Sequence, residues 1–263
     1  MVEIELGTPH LRLERAGRIA RCTVDNPAQR NALSDAMYAG LGRAIRAVED
    51  DPTLDALIVT GVDDVFIVGG DPGSHTGPAD TALRPDDLPF ALLHHTGAAV
   101  VAAINGHCQA SGVWLAVLAD VAVASDRARF RLPELRLGVA APWSSTLLPA
   151  VIGLARAKEL ALTSRSFGAE EALAMGLISR VVPHDELDAA ALRVAGELLD
   201  AAPQARAAWK QAAHRHVSVV GEAAVAASIS TVEAKEGFTA YTERRPPSWS
   251  PRYTGSEDTQ RHG

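Results

Sequence analysis

The chain has 263 residues, of which 25 are Lys or Arg and 32 are Asp or Glu, giving a formal net charge of −7. Because the basic residues are scattered through an acidic chain, no stripe can follow a phosphate backbone, and we expect no nucleic-acid partner. The cysteines, Cys22 and Cys108, are too few for a disulfide framework and lack metal-binding spacing, which favours a reducing compartment.

The N-terminal stretch, residues 1–17, has acidic residues and a proline where a signal peptide has a basic start and an apolar run. We therefore expect a cytoplasmic location. The most apolar region, residues 98–124, is interrupted by polar residues, so it predicts buried strand, turn and helix. It is not typical of a membrane span, and we expect no membrane partner.

The first elements follow clear local signals. Apolar and polar residues alternate on both sides of Ala16-Gly17, which predicts a β-hairpin. Ser34 is a good N-cap for a helix over residues 35–51, which stops before the next proline. The apolar run at residues 54–61 is typical of a strand covered on both faces.

Residues 63–87 are dense in Gly, Pro and Asp, so we predict a long surface loop that leads into a helix at residues 88–97. Strands and helices then alternate up to about residue 150, with a strand at 99–104, a helix at 111–120 and a strand at 121–125. Beyond that point nearly all of the chain is predicted to be helical. The pattern predicts an α/β fold with a helical C-terminal part and a frayed proline-rich tail.

Two tight glycine-containing turns follow apolar runs, FIVGGD at residues 66–71 and QASG at residues 109–112. Each leaves backbone N–H groups without a strand partner, and at the second a helix N-terminus adds partial positive charge. Two such donors aimed at one oxygen form an oxyanion hole, worth about 3 kcal/mol per donor. The same glycines are also typical of plain tight turns, so spacing alone leaves both interpretations open.

Six segments, taken together and in order, carry a family resemblance: NPAQRNALS, FIVGGD, AAINGHCQASG, DVAVASDRARFRLPELRLG, GAEEALAMGLISRVVP and EGFTAYTERRPP. They resemble the enoyl-CoA hydratase/isomerase (crotonase) superfamily over most of the chain. The resemblance implies a crotonase-type spiral of ββα units with a helical C-terminal region. It implies a core over residues 1–195 with the acyl-CoA site, and a region over residues 196–263 that covers the CoA and helps to form a homotrimer or a dimer of trimers.

The resemblance also implies a catalytic site. A CoA thioester carbonyl would lie between the backbone N–H groups of Gly70 and Ser111, and the resulting enolate would be stabilised there. Hydratases of this superfamily typically use two glutamates. One corresponds to Glu134, which follows Pro133, whereas the other position holds Trp114 in this chain.

Trp114 is three residues beyond Ser111 on a predicted helix, so we expect its indole to lie on the same face and to overhang the pocket. An indole cannot take a proton from water, which argues against efficient hydration with two carboxylates. Moving a double bond from the β,γ to the α,β position needs only one carboxylate, which removes and returns a proton. We therefore expect an isomerase, or a weak hydratase, with Glu134 as its single acid/base.

The remaining binding residues also follow from the resemblance. Arg30 and Arg244 correspond to positions that hold the CoA phosphates, although either is equally typical of a solvated surface charge. Contacts with adenine and pantetheine are expected from Ala32, Leu33, Val68 and Asp71, although Asp71 is equally typical of a turn residue before Pro72. Around the acyl group we expect contacts from Gly112, Trp114, Pro133, Leu137 and Trp143. CoA enters as part of the substrate, so we expect no separate cofactor and no metal.

Other interpretations are weaker or stay open. Ser111 lacks a GxSxG context and a His–Asp pair, which argues against a serine hydrolase. His94-His95 and His214-x-His216 lack a third ligand with metal-site spacing. The main alternative is a non-catalytic acyl-CoA-binding homologue, and the difference depends on whether Glu134 reaches the substrate.

Overall fold

The computed structural model of the protein describes residues 4–71, 73, 89–215, 220 and 222–251. Most of the predicted loop before residue 88, together with His216 and the tail beyond residue 251, lies outside the described residues.

A six-stranded sheet forms the larger layer of the fold. Its strands lie side by side in the following order: β1 (Leu11–Ala16), β2 (Ile19–Val24), β3 (Ala56–Gly61), β5 (Ala99–Ile104), β7 (Val121–Ser125) and β10 (Arg180–Val182). The first two strands are antiparallel and form the predicted hairpin, whereas every other neighbouring pair is parallel.

A smaller sheet carries the two turns of interest. Its strands, in spatial order, are β4 (Val65–Ile67), β6 (His107–Gln109), β8 (Arg129–Arg131) and β9 (Phe167–Gly168). The first three are parallel, and β9 pairs with β8 antiparallel. Parallel neighbours end at the same edge, so the turns after β4 and β6 lie next to each other.

The helices of the described residues are α1 (Asp35–Asp50), α2 (Pro89–His95), α3 (Ser111–Leu118), α4 (Pro142–Ile152), α5 (Leu154–Thr163), α6 (Ala169–Ala174), α7 (Leu187–Leu199), α8 (Pro203–His214), α9 (Glu222–Ile229) and α10 (Val232–Thr242). The predicted N-cap of α1 is confirmed, since Ser34 Oγ accepts from the Met37 N–H at 3.3 Å. Across the described ranges, no helix combines the length and the apolar character that crossing a membrane requires.

In the part of the chain that the structure describes, one pattern occurs three times. A strand of the larger sheet is followed by a strand of the smaller sheet and then by a helix, as in β3–β4–α2, β5–β6–α3 and β7–β8–α4. This is the predicted series of ββα units. The expectation that nearly everything beyond residue 150 is helical was too simple, because β9 and β10 lie there. These strands have only two and three residues, too few to show a periodicity.

The central strands of the larger sheet, β3, β5 and β7, are buried on both faces. Leu57 and Val59 belong to a core cluster shared with α1, whereas Ala56 and Ile58 belong to a second cluster shared with α7. The continuous apolar sequence of β3 was therefore correctly interpreted as a strand covered on both sides.

The side chain of Asn105 ties the connections of two ββα units together. It is 7% exposed, and its Nδ2 donates at 3.0 to 3.2 Å to the carbonyl oxygens of Val62, Asp63 and Val65. Its Oδ1 accepts from the Gly61 N–H at 3.1 Å. Because one amide satisfies four backbone groups, the start of β4 is held against the end of β5.

Gly112 allows a second close approach, between α3 and the end of β4. A Cβ at this position would lie only 2.4 Å from the carbonyl oxygen of Ile67. Only glycine lets the N-terminus of α3 pack this closely on the backbone that leads to Gly70.

Replacing Gly112 with alanine is expected to lower the free energy of unfolding by about 1–3 kcal/mol, because the backbone of Ile67 must move away. Urea denaturation measures this loss. Gly196→Ala is the matched control, since Gly196 is exposed on α7 and an added Cβ meets no atom within 4 Å. The control should be stabilised by up to about 1 kcal/mol through helix propensity. Equal stability of G112A and the wild type would contradict the close contact.

Candidate active site

The turns after β4 and β6 open onto one cavity of about 190 Å³. Gly69 and Gly70 line it from the first turn, and Ala110 and Ser111 line it from the second. The two predicted oxyanion donors are therefore neighbours on the wall of a single cavity, although 41 positions separate them in the sequence.

The turn that carries Gly70 is anchored by Leu33. Leu33 pairs with this segment on both sides, donating to the Gly69 carbonyl at 2.8 Å and accepting from the Asp71 N–H at 2.9 Å. Among the described residues, nothing accepts from the N–H of Gly70 between them. The bridge thus fixes the peptide while its donor remains available.

The second donor comes from the first residue of α3. The Ser111 N–H, like other N–H groups in a first helical turn, makes no backbone hydrogen bond within the part of the chain described here. The preceding residue, Ala110, has φ 46° and ψ −115°, a conformation that costs a non-glycine residue about 1–3 kcal/mol. It is held by a 3.2 Å bond from its N–H to the Arg131 carbonyl. Strain concentrated at this turn is typical of a functional site.

Glu134 brings a carboxylate to the same cavity. It begins the short 3-10 turn Glu134–Leu137 after β8, lines the cavity, and is only 5% exposed. Burial raises the pKa of this carboxyl, and hydrogen bonds oppose that rise, including those from Ser144 and Trp114. The Ser144 hydroxyl donates to Glu134 Oε1 at 2.9 Å. A buried carboxyl with a raised pKa is suited to proton transfer when it shares a cavity with two N–H groups that have no acceptor among the described residues.

Trp114 lines the cavity and is half-buried. Its ring packs edge-on against Phe90, with 5.4 Å between the ring centroids. Its Nε1–H donates to Ser144 Oγ at 2.7 Å, so the indole is fixed by packing and by a hydrogen bond. The indole therefore combines a packing role with contact to the cavity.

Aromatic rings supply much of the remaining wall: Tyr38, Phe90, Trp143 and Phe238. Trp143 is 2% exposed and lies 5.6 Å from Phe90, ring centroid to centroid. Burial raises the pKa of Tyr38 to about 12, a rise that the nearby Ser111 hydroxyl partly offsets, so the phenol is neutral at ordinary pH. These rings make the cavity suited to an apolar group and poorly suited to bulk water.

A second carboxylate, Asp35, also lines the cavity. It is the first residue of α1 and half-buried, directly after the Ser34 cap. An acidic residue is common in the first turn of a helix because it interacts favourably with the helix dipole. For that reason, the sequence alone does not indicate a further role for Asp35.

A larger groove of about 630 Å³ adjoins the cavity and shares Val68, Gly70, Pro133 and Leu137 with it. Arg30, Ala32 and Asp71 line this groove as well. Seven residues predicted from the resemblance thus lie along one continuous surface. Further lining comes from the arginines Arg131, Arg136 and Arg245, and from α10 through Gly237, Ala240 and Tyr241.

Three predicted binding residues lie elsewhere. Leu33 is fully buried and anchors the Gly70 turn, and Gly112 packs against Ile67, so both position the site and do not line its cavities. Arg244 is exposed and lies two residues beyond the end of α10, and among the described residues it is the neighbouring Arg245 that lines the groove. A role for Arg244 in binding the CoA phosphates stays a prediction.

The lining residues that the sequence prediction missed include Asp35, Tyr38 and Phe90. Ser144 was missed as well, and it lines a second cavity next to Glu134. Asp35 and Tyr38 are three residues apart on a helix whose N-cap was predicted. The sequence was therefore sufficient to predict that they lie on the same face of that helix. Ser144 gave no signal, because its contact with Glu134 depends on the left-handed conformation of Ala141, with φ 49°.

The competing interpretations gain no support from the site. No histidine is among the described residues that line the cavity with Ser111, as a serine hydrolase would need. Within the described ranges, no group of three or more His, Cys, Asp or Glu residues is arranged to hold a metal ion. His94 and His214 instead stack on each other, with centroids 4.7 Å apart.

Comparison with known proteins gives a consistent result. Residues 14–252 match the family model described as enoyl-CoA hydratase/isomerase. The chain is 32% identical to the carnitinyl-CoA dehydratase of Salmonella arizonae over 91% of this chain and 97% of that protein. It is 31% identical to the 2,3-dehydroadipyl-CoA hydratase of Escherichia coli, over 91% and 98%.

The fold agrees with these sequence matches. An enoyl-CoA hydratase/isomerase structure from Pseudoalteromonas atlantica superposes with a TM-score of 0.82 at 27% identity, covering 92% of this chain and all of that one. The family match, the ββα units and the paired turns lead to one conclusion: the chain belongs to the enoyl-CoA hydratase/isomerase (crotonase) family.

Proposed function

We propose that the protein binds an acyl-CoA thioester, holds its carbonyl between the N–H groups of Gly70 and Ser111, and uses Glu134 as a single acid/base to move a double bond. The observation that carries this proposal is that both free donors and the buried carboxyl line one small cavity. Polarising the carbonyl acidifies the α-carbon, and the enolate that forms is stabilised by the same two donors.

The proton transfers follow from this arrangement. Glu134 removes a proton from the α-carbon, the negative charge moves onto the thioester oxygen, and the carboxyl returns the proton at the γ-carbon. Burial supports both steps, because it raises the pKa of Glu134. The carboxylate is then a stronger base, and the carboxyl retains the proton until it is returned at the γ-carbon. This is the main argument against a non-catalytic acyl-CoA-binding homologue.

The adjoining groove is proposed to hold the CoA moiety. Four arginines line it, Arg30, Arg131, Arg136 and Arg245, which suits the phosphates of CoA. Residues of α9 and α10 line the acyl cavity or the groove, in keeping with a C-terminal region that covers the CoA. Assembly as a homotrimer or dimer of trimers, and a cytoplasmic location, stay predictions.

Hydration of a trans-2-enoyl-CoA is the second candidate function, and one observation favours it. Asp35 places a second carboxylate on the cavity wall. It could replace the carboxylate that hydratases of the family carry at the position of Trp114. The relatives named above as a hydratase and a dehydratase add support. In this version, Asp35 helps to activate water while Glu134 completes proton transfer.

Glu134→Gln is expected to lower turnover of trans-3-enoyl-CoA by about 10²- to 10⁴-fold, because the amide cannot take the α-proton. Binding of a saturated acyl-CoA, followed by calorimetry, should persist. Glu5→Gln, a change at an exposed position, should leave turnover unchanged. Full activity of E134Q with either a trans-2- or a trans-3-enoyl-CoA would rule out Glu134 as the acid/base.

Asp35→Asn separates the two candidate reactions. If the protein is an isomerase, the variant should convert trans-3-enoyl-CoA at close to the wild-type rate, since Asp35 takes no part. A loss of tenfold or more in hydration of trans-2-enoyl-CoA, with isomerisation intact, would instead support the hydratase. Both rates are measured by following absorbance of the conjugated thioester in the same samples.

Glu134→Gln should also stabilise the unliganded protein at neutral pH. The pKa of Glu134 is higher in the folded protein than its ordinary value of 4.5, so the folded state favours the protonated form and loses stability as pH rises through the raised pKa. Glutamine removes that loss. Urea denaturation should show a higher free energy of unfolding for E134Q than for the wild type at neutral pH, and this difference should disappear as the pH falls towards 4.5. The same difference at both pH values would contradict the effect of burial.

A further inference from the structure

We propose that Ser144 is a positioning residue that couples the indole of Trp114 to Glu134 and leaves Glu134 Oε2 as the oxygen that exchanges protons with the substrate. This inference rests on the proposed role of Glu134 as acid/base. It also assigns a purpose to the tryptophan at position 114, which contributes no acid or base of its own.

The three side chains form a continuous chain of hydrogen bonds. Trp114 Nε1 lies 2.7 Å from Ser144 Oγ, and Ser144 Oγ lies 2.9 Å from Glu134 Oε1. Ser144 and Glu134 are each only 5% exposed, so bulk water competes poorly for these bonds. Ser144 belongs to the first turn of α4, whereas Trp114 belongs to α3, so the chain of bonds also fixes the two helices relative to Glu134.

The direction of this chain is set by the chemistry of its members. An indole N–H can only donate, and a serine hydroxyl has a single proton. Because Trp114 already donates to Ser144 Oγ, the hydroxyl proton must point away from the indole and towards Glu134 Oε1. The order of donation is therefore fixed as Trp114 to Ser144 to Glu134.

The fixed direction makes the two carboxyl oxygens unequal. Oε1 accepts a hydrogen bond from the Ser144 hydroxyl, whose orientation is fixed. A proton could bind to Oε1 only by displacing that hydrogen bond. Within the described residues, the Ser144 hydroxyl bonds Oε1, which leaves Oε2 as the oxygen for the substrate. In the proposed step, the C–H bond at the α-carbon breaks, its proton moves to Oε2, and its electron pair forms the enolate. The O–H bond at Oε2 then breaks as the proton is delivered to the γ-carbon.

A carboxylate at position 114 could not do the same work. It would accept from Ser144 and compete with Glu134 for the one hydroxyl proton, so the orientation of Glu134 would no longer be unique. Tryptophan supplies a donor with no acceptor, and its packing against Phe90 keeps that donor in place.

The same bonds affect the charge state of Glu134. Burial raises the pKa of the carboxyl, and hydrogen bonds from its own backbone N–H, from Ser144 and from Trp114 oppose that rise. The other ionisable groups that face it are Asp35 and Tyr38 of α1, which share its cavity, and Lys158 of α5, which shares a second cavity with it. These three groups are the same in every variant proposed below, so changes between variants report on the hydrogen-bond chain.

The test compares Ser144→Ala, Ser144→Thr, Trp114→Phe and the double variant W114F/S144A. In S144A we expect kcat for trans-3-enoyl-CoA to fall, by up to about a hundredfold, with little change in KM, because the base is no longer oriented. The acid limb of the kcat profile should move to higher pH, since Glu134 loses a donor to its charged form. S144T should recover most of the activity, because the second cavity of about 260 Å³ next to Ser144 gives the extra methyl group room.

The double variant tests whether Trp114 acts through Ser144. If it does, W114F/S144A loses less activity than the product of the two single losses. Ser145→Ala is the matched control, since Ser145 is exposed and, within the described residues, its hydroxyl bonds the Pro142 carbonyl alone. This variant should leave kcat and the pH profile unchanged.

Three results would overturn the inference. The first is that S144A keeps the wild-type kcat and the wild-type acid limb of its kcat–pH profile. The second is that the double variant loses at least as much activity as the product of the two single losses. The third is that W114F changes KM alone. If S144A fails to fold, W114F and S144T still test the inference. W114F must shift the acid limb of the kcat–pH profile to higher pH, and S144T must leave that limb where it is in the wild type. Failure here is distinct from failure of the proposed function, because an inactive E134Q beside a fully active S144A would reject only the role of Ser144.

Discussion

The site depends on how closely two turns of the smaller sheet approach each other. Gly112 allows this approach, since any Cβ there would collide with the carbonyl of Ile67. Leu33 holds the Gly70 turn from the other side through two backbone hydrogen bonds, and Asn105 fixes the connection into β4. Residues outside the lining of the cavity and the groove therefore set the positions of the two N–H donors, as a rigid scaffold should for the proposed oxyanion hole.

The same packing places a carboxyl where water is scarce. Glu134 is buried beside aromatic rings, and the cost of burying its charge is reduced by the Ser144 hydroxyl and the Trp114 indole. A folded protein gains no stability from such a carboxylate at neutral pH, so its presence is better explained by reactivity than by structure. The strained backbone of Ala110 fits the same explanation, because it costs stability and immediately precedes Ser111 on the cavity wall.

Local signals in the sequence predicted much of the fold. The Ser34 cap and the buried strand β3 follow from rules that involve only neighbouring residues, and both are confirmed. The family resemblance pointed to Glu134 and to the two turns, which the structure brings to one cavity. Ser144 and Asp35 were missed because their roles depend on which helix ends meet at the cavity, a long-range outcome of packing. The short strands β9 and β10 were missed because they are too brief to carry a pattern.

The most direct test of this account is the state of the thioester carbonyl when it is bound. A saturated acyl-CoA labelled with ¹³C at the carbonyl would be examined by isotope-edited infrared difference spectroscopy, free and bound to the wild-type protein. If the N–H groups of Gly70 and Ser111 both donate to the carbonyl oxygen, its stretching band must move to lower wavenumber than in water and become narrower. A bound carbonyl with the band position that it has in water would contradict the account.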